Sequence, residues 1–313
     1  MKKITELFLA LTLLMVFAVS CAKGGNDGEK DSKGNVEKVT ITTSKGDVEV
    51  PVKPKKVVVF DYGVLDIMNE LGIEAEIGTA VQNLPASLEK YKKSLDAGSL
   101  HEPNFEKINE FAPDLIIISA RQEKSYDELS KIAPTLYMGV NPDKYIASVY
   151  ENIRTIGKIF GKEKEADEKV AELTKEVEEV KGLTAKSDKK VLMALTNDGK
   201  ISAYGAGSRF GFVFTDLGLK SVDEGIKVST HGQEINYEYI AEKNPDIIYY
   251  VDRTKIAGGS KDGGDVLKNS LVNGTNAGKS GKIVALDPVT WYIVAGGFNS
   301  TKTQLNEIKA SLK

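Results

Sequence analysis

The sequence predicts an α/β protein built as two Rossmann-like lobes joined by a single long, rigid helix. Three observations predict it. First, one stretch recurs. Residues 105–117 read Phe-Glu-Lys-Ile-Asn-Glu-Phe-Ala-Pro-Asp-Leu-Ile-Ile, and residues 237–249 read Tyr-Glu-Tyr-Ile-Ala-Glu-Lys-Asn-Pro-Asp-Ile-Ile-Tyr, aligning without a gap. Second, short apolar runs alternate with helical patterns, the signature of strands paired in parallel. Third, Lys162–Leu183 carries one unbroken apolar stripe, with no Pro or Gly before Gly182. A length of 313 residues gives room for about two domains of roughly 150 residues each.

Taken from the N-terminus, residues 1–20 read as an export signal. Lys2 and Lys3 form the positive n-region, and Leu7–Val19 is an apolar run too short for a membrane span. The run ends at Ala18-Val19-Ser20-Cys21, which resembles the lipobox of bacterial lipoproteins, although leucine is usual where Ala18 stands. Cys21 is therefore the expected lipidation site, and the membrane is a partner through that anchor. Residues 21–36 are a flexible tether, rich in Gly, Lys, Asp, Asn and Ser and unable to bury enough apolar surface to fold. The protein is thus expected outside the cytoplasm, on a cell surface or in a periplasm.

Residues 37–161 form the expected first lobe. Lys56–Phe60 reads as a buried strand, followed by a helix that stops near Leu71-Gly72-Ile73. The repeat then supplies a short helix, a Pro-Asp turn and a strand at Leu115–Ile118, with Arg121 just beyond. Tyr150–Phe160 has a helical pattern, and Arg154 within it reads as structural. Residues 162–183 form the connecting helix. Ala166, Val170, Leu173, Val177 and Val180 line one face, and about twenty helical residues span roughly 30 Å. Such a strut predicts limited movement between lobes, unless it merely packs on one of them. Residues 184–313 form the second lobe, with strands at Val191–Thr196, Ile247–Val251 and Lys282–Leu286 and a helix stop near Leu217-Gly218-Leu219.

Composition excludes several functions. One cysteine cannot form an intramolecular disulfide, a zinc finger or a CxxC pair. Two histidines argue against a multi-histidine metal site, and a net charge of −3 gives no basic surface for nucleic acid. Gly205-Ala-Gly-Ser-Arg-Phe-Gly211 places its third glycine one position late for a dinucleotide loop, and no GxSxG elbow occurs. No catalytic residue and no enzymatic activity are expected.

The arginines are more informative. There are four, and Arg121, Arg209 and Arg253 all sit in loops after apolar or glycine-rich segments. Arg121 and Arg253 each lie seven residues after the aspartate of the repeat, past the carboxyl end of a strand, where α/β sheets bind ligands. A guanidinium is a permanently charged planar fork suited to a rigid anion. The bland alternative is three unrelated surface ion pairs. His231 sits in a Ser-Thr-His-Gly-Gln loop, and Trp291-Tyr292 follow a strand. The aromatic pair reads as packing or as a wall for an aromatic ligand. Imidazole and phenolate together would suit Fe(III), a hard ion that favours oxygen donors.

These stretches, with their order across both lobes, resemble one family. They are Ile116-Ile-Ile-Ser-Ala-Arg-Gln122, Gly207-Ser-Arg-Phe-Gly211, Thr230-His-Gly232, Glu242-Lys-Asn-Pro-Asp246, Val251-Asp-Arg253, Leu286-Asp-Pro288 and Trp291-Tyr292. The whole mature chain is similar to the ferric-siderophore substrate-binding lipoproteins of bacterial ABC importers. The helical-backbone class fits best, and within it the catecholate binders of the enterochelin (enterobactin) and petrobactin type. The resemblance implies a helical-backbone periplasmic-binding-protein fold and capture of a ferric catecholate siderophore for iron transport, with no permanent cofactor.

It also implies roles. Arg121, Arg209 and Arg253 would surround the catecholate oxygens. Tyr292, His231 and Trp291 would contact the ligand, and His231 and Tyr292 would bind Fe(III) directly when the siderophore offers only four donors. Glu106 and Glu238 would dock onto the ABC permease, and a monomer is expected. The alternatives are a haem or cobalamin binder of the same fold and a lipoprotein that binds a bare metal ion.

Overall fold

A computed structural model describes residues 37–82, 84–229 and 231–312. The export signal, the tether and Cys21 lie outside the described residues. Among the described residues, no helix is long and apolar enough to cross a membrane.

The chain enters through a two-stranded antiparallel hairpin, β1 (Lys38–Thr43) and β2 (Gly46–Pro51), anchored by buried Ile41 and Val50. The first lobe holds β3 (Lys56–Val59), β4 (Glu76–Thr79), β5 (Leu95–Asp96), β6 (Leu115–Ile118) and β7 (Thr135–Tyr137). They pair in parallel in the order β5-β4-β3-β6-β7. All four residues of β6 are buried, which is why this strand is a continuous apolar run rather than an alternating one.

Helix α1 (Tyr62–Glu70) follows β3, capped by the Asp61 carboxylate accepting from Val64 N at 3.0 Å. Gly72, just past it, has φ +63° and makes the expected stop. Helices α2 (Phe105–Phe111), α3 (Tyr126–Ser130) and α4 (Tyr145–Phe160) complete this lobe.

Helix α5 (Glu163–Thr184) runs 22 residues, and its buried face is Ala166, Val170, Leu173, Val177, Val180 and Thr184. It packs against α4 on one side and against the last helix, α12 (Phe298–Leu312), on the other. Lys309 on α12 pairs with Glu176 at 2.7 Å and Glu179 at 3.1 Å, and Lys169 on α5 pairs with Glu70 on α1. The connecting helix is therefore held on both sides.

The second lobe holds β8 (Lys190–Asn197), β9 (Lys200–Ala203), β10 (Lys220–Ser221), β11 (Gln233–Ile235), β12 (Ile247–Asp252) and β13 (Ile283–Leu286). The order is β11-β9-β8-β12-β13, with β10 pairing β8. Here the sheet departs from all-parallel pairing. β8 turns into β9 through Asp198 (φ +49°) and Gly199 (φ +93°), so β8, β9 and β11 pair antiparallel. Its helices are α6 (Phe212–Thr215), α7 (Tyr237–Lys243), α8 (Thr254–Ala257), α9 (Gly263–Leu267), α10 (Ser270–Asn273) and α11 (Asn276–Lys279).

The sequence repeat is a structural repeat. Helices α2 and α7 are seven residues each, capped by Asn104 and Asn236 and ended by left-handed Ala112 and Asn244. The aspartate after each closes the neighbouring strand. Asp114 accepts from Lys56 N at 2.9 Å, and Asp246 accepts from Lys190 N at 2.9 Å. β3 then pairs β6 from Val57↔Leu115, and β8 pairs β12 from Val191↔Ile247.

One apolar cluster passes from Val57 and Leu65 through Leu173 and Leu305 to Val191 and Trp291, so the lobes share a core. The joint is close. A Cβ on Gly63 would lie 2.7 Å from Ala295 O and 2.9 Å from Gly297 N. Buried Asp66 of α1 accepts from Asn299 Nδ2 at 3.0 Å and from Ser300 N at 3.1 Å. A large apolar junction of this kind opposes free domain motion.

Candidate functional site

The carboxyl ends of both sheets face a cavity of about 530 Å³ between the lobes. The first lobe contributes Asp61 after β3, Ser119–Arg121 after β6, Tyr137–Val140 after β7, and Tyr145 at the start of α4. The second contributes Gly207–Arg209, Val228, Ser229, Tyr292 and Ile293. A cleft of this size between domains suits a small-molecule ligand.

Arg121 is placed by the turn that follows β6. Ser119 and Gln122 form a capping box, with Ser119 N donating to Gln122 Oε1 at 3.3 Å, and buried Gln122 also donates to Leu100 O. The side chain crosses to the other lobe, where Nη2 donates to Tyr292 O at 2.8 Å. Burial lowers the pKa of this guanidinium and Arg209 adds to the effect, while Asp61 opposes it. An arginine stays charged through such a shift.

Arg253 follows β12, and its backbone N donates to Thr196 O at 2.9 Å. Its side chain donates from Nη1 to Asn197 Oδ1 at 3.0 Å and from Nε to the Tyr292 hydroxyl at 3.2 Å. It does not line the cavity itself; it stands behind Tyr292.

Arg209 lies in the Gly205–Gly211 loop between buried Ser208 and Phe210. Its Cζ sits 4.3 Å from the centroid of the Tyr292 ring. Among the described residues, no hydrogen bond or ion pair engages its guanidinium, so its donors face the cavity. Among the described residues, Arg154 alone of the four arginines pairs with a carboxylate, Asp167 at 2.8 Å. The alternative of three unrelated surface ion pairs is thereby set aside.

Tyr292 gathers all three guanidiniums. It lies in a π-helical turn, Val289–Ile293, a geometry that recurs at functional sites. Asp287 accepts from Val289 N and Thr290 N, both at 3.2 Å, and so closes the start of the turn. Trp291 points the other way. It is 1% exposed, stacks on Phe212 at 5.4 Å and donates from Nε1 to Glu307 at 2.6 Å. The expectation that Trp291 contacts ligand is corrected: its indole is core beneath the turn and lines no part of the cavity.

His231 is exposed and is not among the cavity-lining residues, although Val228 and Ser229 of the same loop are. Contact between its imidazole and a bound metal would need that loop to move inward. Among the described residues, no cluster of three or more His, Cys, Asp or Glu could hold a metal ion. Glu106 and Glu238 are the second residues of α2 and α7, exposed and free of ion pairs among the described residues.

Sequence reasoning missed Asp61, Tyr137 and Tyr145. The first two follow or end buried strands, so the carboxyl-end rule that found Arg121 also applied to them. Tyr145 gave no such signal. It is buried with its pKa pushed up to about 12, accepts from Gly296 N at 2.8 Å and stacks on Phe212 across the lobes at 4.4 Å.

Comparison with known proteins places this geometry. Residues 57–290 match the periplasmic binding protein family. The petrobactin-binding protein YclQ of Bacillus subtilis (strain 168) is 42% identical, covering 100% of both chains. Its crystal structure superposes with a TM-score of 0.85 at 43% identity, covering 88% of this chain and 99% of that one. The ferric-anguibactin-binding protein FatB of Vibrio anguillarum is 34% identical over 86% of each chain. The periplasmic catecholate-siderophore binding protein VctP of Vibrio cholerae superposes with a TM-score of 0.82 at 36% identity, covering 88% of this chain and 100% of that one.

Proposed function

The chain belongs to the periplasmic binding protein family, and from that premise we propose that it captures a ferric catecholate siderophore outside the cytoplasm and delivers it to an ABC permease. The observation that carries this reading is the convergence of Arg121, Arg209 and Arg253 on Tyr292 at the interlobe cavity, with no carboxylate paired to any of them among the described residues. Among the described residues, the one acid lining the cavity, Asp61, is occupied in capping α1. Half-buried cations gathered in this way repel one another and lose hydration, a cost that an entering anion offsets. A ferric catecholate complex is such an anion, and it is cargo here rather than a resident cofactor.

In this reading Arg209 and Arg121 donate to the catecholate oxygens, and Arg253 fixes the Tyr292 hydroxyl. When a ligand leaves part of the iron's coordination open, the Tyr292 phenolate and, after loop closure, the His231 imidazole complete it. The protein binds and does not transform its ligand.

Residues 1–20 would direct export, and Cys21 would carry the lipid at the head of a tether ending at residue 36. Residues 37–161 and 184–313 would be the two lobes on the 162–183 helix. Glu106 and Glu238, one per lobe at equivalent places, would meet basic pockets on a two-fold pseudo-symmetric permease, with the receptor acting as a monomer.

The test is fluorescence-quench titration with ferric tris-catecholate, bis-catecholate and hydroxamate complexes, with haem as control. Saturable binding of the catecholates with weak or absent binding of haem supports the reading. Preference for haem overturns it.

A further inference from the structure

The region that matches the family begins at residue 57, but the β1–β2 hairpin before it carries Lys45 to the ring of Tyr137, a residue that lines the cavity. Its base is fixed by buried Ile41 and Val50. Its tip is held by Lys45 N donating to Thr43 Oγ1 at 3.1 Å and by Thr43 Oγ1 donating to Gly46 O at 3.1 Å. Lys45 therefore leaves a defined point.

Its ammonium donates to Glu123 Oε1 at 2.6 Å and lies 5.6 Å from the ring centroid of Tyr137. Both neighbours adjoin the site. Tyr137 lines the cavity, and Glu123 is two residues beyond Arg121 on the same turn.

Lys45 and Glu123 have side chains 31% and 48% exposed, so their pairing adds little to stability. The ammonium has three donors on a flexible stem, and Glu123 takes one of them. The others are open to a group arriving over Tyr137.

We propose that the hairpin tip is part of the ligand site, and that Lys45 is a specificity-determining residue selecting complexes that carry an anionic group outside the metal core. Such a carboxylate would share the ammonium with Glu123 at the first-lobe rim, beside the turn that carries Arg121. The inference rests on the ferric-complex reading of the cavity.

The test uses two ferric bis-catecholate complexes with the same metal core, one bearing a peripheral carboxylate and the other the matching carboxamide. Wild-type protein should prefer the carboxylate. Lys45→Met, which keeps the stem and removes the charge, should weaken the carboxylate complex by about threefold to fivefold and leave the carboxamide nearly unchanged. Lys45→Arg should restore the preference. Glu123→Gln should strengthen the carboxylate complex more than the carboxamide, because the competing anion is gone. Equal effects of Lys45→Met on both complexes, or none on either, would overturn the proposal while leaving the function intact. Failure of wild-type protein to bind either complex would overturn the functional reading and this proposal with it.

Discussion

The Arg121 guanidinium leaves the first lobe and donates to the main-chain carbonyl of Tyr292 in the second, at 2.8 Å. The contact ties the lobes at the site itself. It also fixes the π-helical turn from the front, while Trp291 and Glu307 hold it from behind. Tyr292 is thus presented to the cavity by its backbone, and its ring remains free to carry Arg209 on one face and to offer a hydroxyl to Arg253.

Direct iron ligation makes a first prediction. Tyr292→Phe and His231→Ala should weaken tetradentate ferric complexes far more than hexadentate ones, since only the former leave coordination positions open. Loss of a visible phenolate-to-iron band in Tyr292→Phe would accompany it. Titration of each variant with both complex types checks this, and equal weakening would argue against protein ligation.

The buried carboxylate at the interlobe joint makes a second. Asp66→Ala leaves the donors of Asn299 and Ser300 without their acceptor, which should cost about 1–3 kcal/mol for each group that finds no other partner. Burial raises the Asp66 pKa above its ordinary 3.8, although the same two donors pull it down. The folded state then keeps a proton that the unfolded state has lost. That contribution to stability is fully present below about pH 4 and is lost as pH rises through the folded-state pKa. The stability gap between wild type and Asp66→Asn, read by urea unfolding, should narrow as pH rises from about 4. A gap independent of pH would contradict the account.

A third prediction tests the rigid joint. Gly63→Ala would drive a Cβ to within 3 Å of the Ala295 and Gly297 backbone, which cannot yield as a side chain could. Overpacking of this kind costs about 1–3 kcal/mol, so the melting temperature should fall. An unchanged melting temperature would mean that the lobes part easily.

A fourth separates capture from delivery. Glu106→Ala and Glu238→Ala, both exposed and not among the cavity-lining residues, should leave ligand affinity unchanged and reduce siderophore-dependent iron uptake by cells. A loss of affinity instead would assign these glutamates to the fold or the ligand site.

Much of this architecture was legible in the sequence because its signals are periodic. The five residues of the predicted stripe, Ala166 to Val180, are all buried in α5, and the repeat marked two equivalent helix–turn–strand units. The antiparallel half of the second sheet was less so. Its Asp198-Gly199 turn is a hairpin signal, but it sits inside a pattern that otherwise reads as alternating strands and helices. Arg121, Arg209 and Tyr292 could be found because arginine is scarce and strand ends are recognisable. Tyr145 and Lys45 could not, since they reach the site from a helix start and a hairpin tip with no strand-end signal. Trp291 was misplaced because successive residues in a helical turn point in different directions, and nothing in the dipeptide tells which one faces the core.

The central claim is that the arginine cluster is the anion-binding heart of the site. It is tested most directly by the affinity of Arg209→Ala and Arg121→Ala, the two arginines that line the cavity, for a ferric catecholate complex, with melting temperature as the folding control. Loss of one charge-assisted hydrogen bond, worth about 1.5–3 kcal/mol, predicts binding roughly 10- to 150-fold weaker in each variant. Folded variants that bind the complex as tightly as wild type would contradict the account.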